Sequence, residues 1–319
     1  MSTTSFGVND AMAVKLWSKD VAEAERDTSE VEKLVGEEDT NIIQMKEDFS
    51  KKGGDKLTFA LRARLTGKGF GSGQTAQGNA EGLSFYDDSL LIDELGHTVG
   101  TRSKDTIDAQ RVPFDLRSQG KNGLVEWWRD RKSVSVFNQA CGYTPANTDS
   151  STSGLYFTGM NVVVAPSSGR QIWAASATND QGLTSSDGFT VSLIDKAKEL
   201  AMIGNNIIRP VMIGGMPKHV MYLDPAQVTS LRTNATSGGW QDITKAAMAG
   251  MDSTKSPIYT GALGEWNNVI LRASQDVTQG VHSSTGAAIT TVRRAVLLGA
   301  QALVCGYGGI NPLGPMNYR

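Results

Sequence analysis

The sequence predicts an α+β fold with broken sheets, and three observations carry that reading. Residues 57–65 alternate apolar and polar side chains, the period of a half-covered strand, and a glycine-rich stretch separates them from a second such run at 84–95. Leu124, Trp127, Trp128, Val134 and Phe137 recur at helical spacing inside one long polar run. Beyond residue 150, short apolar runs and helical segments follow one another between glycine turns, with no internal repeat and no regular βαβ alternation.

Composition limits what such a chain can be. Its 319 residues suffice for one large domain or two moderate ones, so core size is not a constraint. The 35 glycines favour a loop-rich, elongated molecule over a helical bundle. A net charge of −2 gives no nucleic-acid footprint. Cys141 and Cys305 match no metal spacing and read as small buried hydrophobes. The N-terminus lacks a basic segment followed by an apolar run, and no window reaches 18 apolar residues, so the expectation is a cytosolically made chain without a membrane span.

Taken in order, residues 1–52 form an acidic leader, with 7 Lys and Arg against 12 Asp and Glu, a net of −5 that leaves +3 on the remainder. Within it, Asp20 to Val35 has helical spacing, and Thr40 or Asn41 caps an expected second helix through Ile42 and Ile43. The leader is either a solvated helical tail or an extended arm lying on neighbouring subunits. Glu37-Glu38-Asp39 is a solvated charge run or an electrostatic latch. Next comes the hairpin, Asp55–Leu65 and Ser84–Leu95. Leu57, Phe59, Leu61, Ala63 and Leu65 share its apolar side. An isolated two-stranded hairpin is marginal in water, so that side needs another surface, and an arm of this shape points to a neighbouring copy.

The long run from Ser103 to Ala140 is capped by Ser103, broken or kinked at Pro113 and stopped at Gly142. Its tryptophan pair among arginines is either packed on a sheet or a nucleic-acid surface. Short strands are expected at 159–165 and 170–174. A helix capped by Ser186 or Asp187 runs from Val191 to a stop at Gly204. Strands lie within 207–223, interrupted by Gly214-Gly215. Asp224-Pro225 opens a short helix, Trp240 to Ala249 forms another, Pro257 to Arg272 and Thr290 to Leu298 are strands, and Ala300 to Cys305 closes the chain's structure.

Chemistry finds little purchase. Gly67-Lys-Gly-Phe-Gly-Ser-Gly73 superficially suggests a phosphate loop, but Lys68 is followed by Gly69 and no helix comes after, so it reads as a flexible hairpin tip. His97, His219 and His282 have no partner at metal or triad spacing. Asp87-Asp88 and Asp93-Glu94 place neighbouring carboxylates on opposite faces of a strand. No Gly-x-Ser-x-Gly elbow occurs, and no nucleophile or base stands out, so the chain is not expected to be an enzyme and no cofactor or metal is implied.

With these elements placed, the chain resembles the major capsid proteins of tailed bacteriophages with the Hong Kong phage-type fold, most closely the branch of schizoviruses and related podophages. Thr40-Asn-Ile-Ile-Gln44 with Gly54-Asp-Lys-Leu-Thr-Phe59 is similar to the entry of the extension loop. Leu65 to Gly73 and Gln77-Gly-Asn-Ala-Glu81 are similar to its tip, where Gly-Asn-Glu is usual and Ala80 is inserted. Asp115-Leu-Arg117 and Leu124 to Trp128 resemble the spine helix. Ile208-Arg-Pro210, Tyr222-Leu-Asp-Pro225, Tyr259 to Gly264 and Leu297 to Ala302 resemble peripheral and axial segments. In one departure, the chain ends at Arg319, where the family continues into further strands, which leaves the cover of the sheet edge open.

The resemblance implies an N-terminal arm (1–54), an extension-loop hairpin (55–102), a spine-helix region (103–142) and interleaved peripheral and axial segments (143–319). It implies a virion subunit that joins copies of itself into pentamers and hexamers of an icosahedral shell, built in the bacterial host cytoplasm. The expected partners are a scaffolding protein, a portal at one vertex, a decoration or cement protein, and packaged double-stranded DNA without sequence-specific contact. Candidate inter-subunit contacts are Phe59, Leu61, Lys68, Phe70, Tyr86, Trp127 and Trp128. The alternative is the shell protein of an encapsulin-like bacterial nanocompartment; a nucleic-acid-binding module comes third.

Overall fold

The computed structural model describes residues 24, 31–46, 56–63, 65–75, 77–91, 96–100, 115–144, 161–203, 207–233 and 263–306. In chain order, a 3-10 turn at Glu32–Leu34 leads into strands β1 (Val35–Gly36) and β2 (Ile43–Lys46). The hairpin β3 (Lys56–Arg62) and β4 (Phe85–Leu91) precedes the helix α1 (Leu116–Cys141). Then come α2 (Val191–Ile203), β5 (Val211–Ile213), β6 (Met216–Leu223), α3 (Pro225–Thr233), β7 (Glu265–Trp266), β8 (Val269–Ala273), β9 (Gln279–Val281), β10 (Ala288–Arg293), β11 (Val296–Leu298) and β12 (Leu303–Gly306).

Strand β6 is the hinge of the packing. It lies between β8, paired in parallel, and β11, paired antiparallel, and its first residues also pair antiparallel with β5. Because successive side chains on a strand face opposite ways, Val220 and Tyr222 enter one core while Met221 and Leu223 enter another. The first core gathers Phe137 and Cys141 of α1, Val31, Ile42 and Ile43 of the N-terminal segment, and Val296 and Leu298 of β11. Phe137 meets Tyr222 edge to face with centroids 5.2 Å apart. The second core gathers Ile194 of α2, Val228 and Leu231 of α3, and Val269 and Leu271 of β8. Each fully buried side chain of this size contributes about 1.5–3 kcal/mol.

The third sheet, of order β1-β2-β12, joins distant parts of the chain. Both pairings of β2 are parallel, with Ile43 opposite Val35 and Leu303. Asp39 lies within the predicted charge run, and its carboxylate accepts from Gln44 Nε2 (3.0 Å) and Gln301 Nε2 (3.3 Å).

Caps and turns follow local chemistry. Asp115 caps α1 by accepting from the Arg117 amide (3.1 Å), and Gly142 ends it in the left-handed region (φ 59°). A β-carbon at Gly142 would sit 2.6 Å from the Val164 carbonyl oxygen. The β5–β6 hairpin turns on Gly214 and Gly215, both at positive φ. Asp224 caps α3 through the Ala226 amide (2.8 Å), ahead of Pro225 at the first helical position.

Several expectations are corrected. The helix predicted from Thr40 is strand β2, whose Ile43, Gln44 and Met45 are all buried, so no alternation marks it as a strand. The first predicted helix does not reach Val35, which is already in β1. Val31, Ile42 and Ile43 of this leader lie in the subunit's own core, while residues 37–40 are exposed. Residues 161–165 and 171–174 are not in strands, and Ser168–Arg170 is a 3-10 turn. Helix α2 starts at Val191, several residues after Ser186 and Asp187; the Asp187 carboxylate accepts instead from the Thr184 amide (2.8 Å). Within the expected strand at 257–272, the described residues from Glu265 form a hairpin turning at Asn267-Asn268, and the strand expected at 290–298 is divided between β10 and β11. Cys141 is buried, as expected, but Cys305 is only half-buried. The predicted helix start at Asp20, the Ser103 cap, Pro113, the Gly204 stop, the Trp240–Ala249 helix and the Asp93-Glu94 pair lie outside the described residues.

Candidate interaction surfaces

The hairpin's chemistry starts from its register. Leu57 faces Leu90, Phe59 faces Asp88 and Leu61 faces Tyr86, and directly opposed residues in an antiparallel pair share a face. Phe59, Leu61 and Tyr86 are thus brought together on one side. Leu61 and Tyr86 are 49% and 67% exposed, and Phe59 is half-buried, so the subunit itself leaves this face largely uncovered. The other side also carries an exposed aromatic, Phe85, opposite Arg62.

At the tip, Lys68 and Phe70 are exposed and lie outside the paired register. The Glu81 carboxylate accepts from the amides of Thr66 and Gly67, both at 2.7 Å. These two hydrogen bonds hold the Glu81 carboxyl below the usual carboxylate range. Two successive backbone amides thus do cradle an anion here, supplied by the chain's own side chain.

At the base, two contacts fasten the hairpin to the body. His97 stacks on Trp127 of α1 with centroids 4.3 Å apart, and Arg131 covers the same indole ring at 5.4 Å. The Asn161 side chain accepts from the Leu91 amide (2.9 Å) and donates to the Leu91 carbonyl (3.0 Å), imitating a strand neighbour. Gln139 of α1 donates to the Asn161 carbonyl (3.0 Å), which ties this mimic back to the helix. Trp127 and Trp128 are half-buried and sit edge to face. Helix α1 packs on a sheet through its aromatics as expected, with Phe137 against Tyr222 of β6, while Trp127 meets the hairpin's return.

The sequence reading missed a polar hub beside the end of α1. Asp180 accepts from Arg294 Nη2 (2.8 Å), the Val281 amide (2.8 Å) and Trp173 Nε1 (2.9 Å), and Arg294 also donates to the Cys141 carbonyl at the end of α1 (3.2 Å). Burial acts to raise the Asp180 carboxyl, and the hydrogen bonds and charge of its partners outweigh it, leaving it below the ordinary value. His219 is buried in β6 beside the Ile208 carbonyl (3.3 Å), and burial lowers its imidazole. His282 accepts at Nδ1 from the Ser284 amide (3.3 Å), a turn-capping role. Among the described residues no group of three or more His, Cys, Asp or Glu could hold a metal ion, and no helix is long and apolar enough to cross a membrane.

Comparison with known proteins identifies the family and the fold. A family model described as "Phage capsid protein" matches residues 5–319. The capsid of Ralstonia phage GP4 is similar in structure, at 27% identity and TM-score 0.71, over 97% of this chain and 86% of that one. The capsid of cyanophage Pam1 follows at 20% identity and TM-score 0.63, over 86% and 78%. The head structure of Helicobacter pylori bacteriophage KHP40 shares the fold at 16% identity and TM-score 0.55, over 90% and 80%. A search of curated proteins found no match.

Proposed function

Because this chain belongs to the phage capsid protein family and is a structural subunit of a virion shell, we propose that its hairpin joins copies into that shell by docking on a neighbouring subunit. The observation that carries this reading is the register that gathers Phe59, Leu61 and Tyr86 on one uncovered face. Burying such a face between copies is worth about 25 cal/mol for each Å² of apolar surface removed from water. One contact of this size is weak alone, and a closed lattice multiplies it. Lys68 and Phe70 at the tip and Trp127 and Trp128 near the base are further contact residues in this proposal.

The copies form pentamers and hexamers of an icosahedral shell, which closes as rings of heterologous contacts. The shell encloses double-stranded DNA without reading its sequence, and a net charge of −2 suits a wall that does not trap packaged phosphates. Assembly takes place in the host cytoplasm with a scaffolding protein, with a portal at one vertex and a decoration protein as an optional outer partner. The matches to phage capsids favour this shell over the nanocompartment alternative.

Phe59→Asp tests the docking face. The variant is expected to stay folded and soluble by circular dichroism yet form no closed shells or rings by negative-stain microscopy and light scattering. Normal shells from that variant would remove the face from the assembly mechanism.

A further inference from the structure

The two edges of the hairpin are not equivalent. The Ala63 amide donates to the Ser84 carbonyl (2.9 Å), which makes 63 and 84 a hydrogen-bonded pair. Stepping back by twos through the register, Leu61–Tyr86, Phe59–Asp88 and Leu57–Leu90 are bonded pairs as well. The main-chain groups of Lys56, Thr58, Ala60 and Arg62 therefore point outward from β3, and those of Phe85, Asp87, Ser89 and Leu91 point outward from β4.

The β4 edge is blunted in its basal half. The Ser89 amide is taken by its neighbour's carboxylate, Asp88 Oδ1 (2.8 Å), and both main-chain groups of Leu91 are occupied by the Asn161 side chain. The β3 edge has no such device: among the described residues none of its outward groups has a hydrogen-bond partner. Sheet proteins manage open edges because an unpaired row of amides and carbonyls templates another strand. Here the β4 edge is closed over its basal half and the β3 edge is left open along its length, with Lys56 and Arg62 at its ends and the small Thr58 and Ala60 at its centre.

A complementary segment exists elsewhere on the same surface. Residues 162–165, Val-Val-Val-Ala, belong to no sheet, and their main-chain groups have no hydrogen-bond partner among the described residues. The side chains of the three valines nevertheless alternate as a strand's do: Val162 is 83% exposed, Val163 7% and Val164 77%. Two outward β-branched residues flanking a buried one suit a strand that still lacks its neighbour. The same subunit cannot supply it, because Asn161 already holds this segment against the β4 side of its own hairpin.

We propose that the open edge of β3 accepts residues 162–165 of a second copy of this chain, so that main-chain pairing extends the hairpin to three strands across the subunit boundary. This rests on the shell-subunit reading and adds a mode of contact distinct from docking of the apolar face. Ala60→Pro removes an outward amide without touching any bond between β3 and β4, and proline is tolerated at such edge positions. Asp87→Pro does the same on the β4 edge. Ala60→Pro is expected to keep the hairpin amides of Phe59 and Leu61 protected from exchange while shell yield falls about tenfold or more, since the loss repeats at every copy. Asp87→Pro is expected to assemble normally. Wild-type yield from Ala60→Pro overturns the proposal.

A second measurement holds even if the proline variant misfolds. Subunits carrying Ala60→Cys are mixed with subunits carrying Val162→Cys or Val164→Cys, all in a Cys305→Ser background, and oxidised after assembly. A covalent dimer found in assemblies and missing from unassembled subunits is the expected result. Shells that form without that cross-link overturn the strand pairing and leave face docking standing. A wild-type chain that stays monomeric with and without a scaffolding partner overturns both.

Discussion

At Glu81 a carboxylate fills the place that a bound anion takes in a phosphate loop, and this decides how the hairpin tip responds to pH. Its folded value lies below its unfolded one, because two backbone amides stabilise the charged form. The contribution is therefore complete above the unfolded carboxylate range and is lost as pH falls through the folded value. Amide exchange at Thr66 and Gly67 is expected to be slow at neutral pH and to speed up, beyond its intrinsic pH dependence, in mild acid. Glu81→Gln should show the fast rates already at neutral pH, and unchanged rates in that variant would mean the tip is ordered by something else. The sequence showed the glycines and the acid of the tip but not that they meet, since Glu81 is 14 positions from Gly67. Asp180 and Arg294 were less legible still: 114 positions separate them, and neither sits in a pattern that distinguishes it from a surface charge.

Elements whose partners are local were legible, and those whose partners are distant were not. The hairpin strands, the centre of α1, its stop at Gly142, the Gly214-Gly215 turn and the proline-led α3 all carry their own periodicity or cap. β2 does not, because a short parallel strand buried on both faces lacks the alternation that half-exposed strands show. Residues 161–165 mislead in the opposite sense, since they alternate without a sheet to join within the subunit. This segment runs past Gly142, whose left-handed conformation turns the chain away from α1 and whose bare α-carbon lets Val164 and Pro166 approach. Gly142→Ala adds left-handed strain to a clash with that segment, and a loss of about 2–4 kcal/mol is expected. Thermal or urea unfolding would show it as a lower midpoint with an unchanged slope. A variant within about 0.5 kcal/mol of wild type would mean the chain relaxes freely around this position.

The whole molecule is closed by its three-stranded sheet. β12 completes β2, and Leu303 and Cys305 pack against the core that contains Phe137 and Tyr222. A chain ended after Ala302 is expected to keep helical circular dichroism but to lose the near-ultraviolet signal and cooperative melting that a packed core gives. Cooperative unfolding in that shortened chain would show β12 to be dispensable. This closure also orders events on the ribosome. Gln44 and Gln301, whose side chains meet beside the sheet, lie 257 positions apart. At about 5–20 residues per second, synthesis leaves β2 without one of its two partners for roughly 10–50 s after it is made. A nascent chain therefore presents its hairpin long before its own core is finished. Chaperones that bind unfinished chains have that interval in which to act, and completion of β12 sets the moment at which a subunit is fit to be counted among the building blocks.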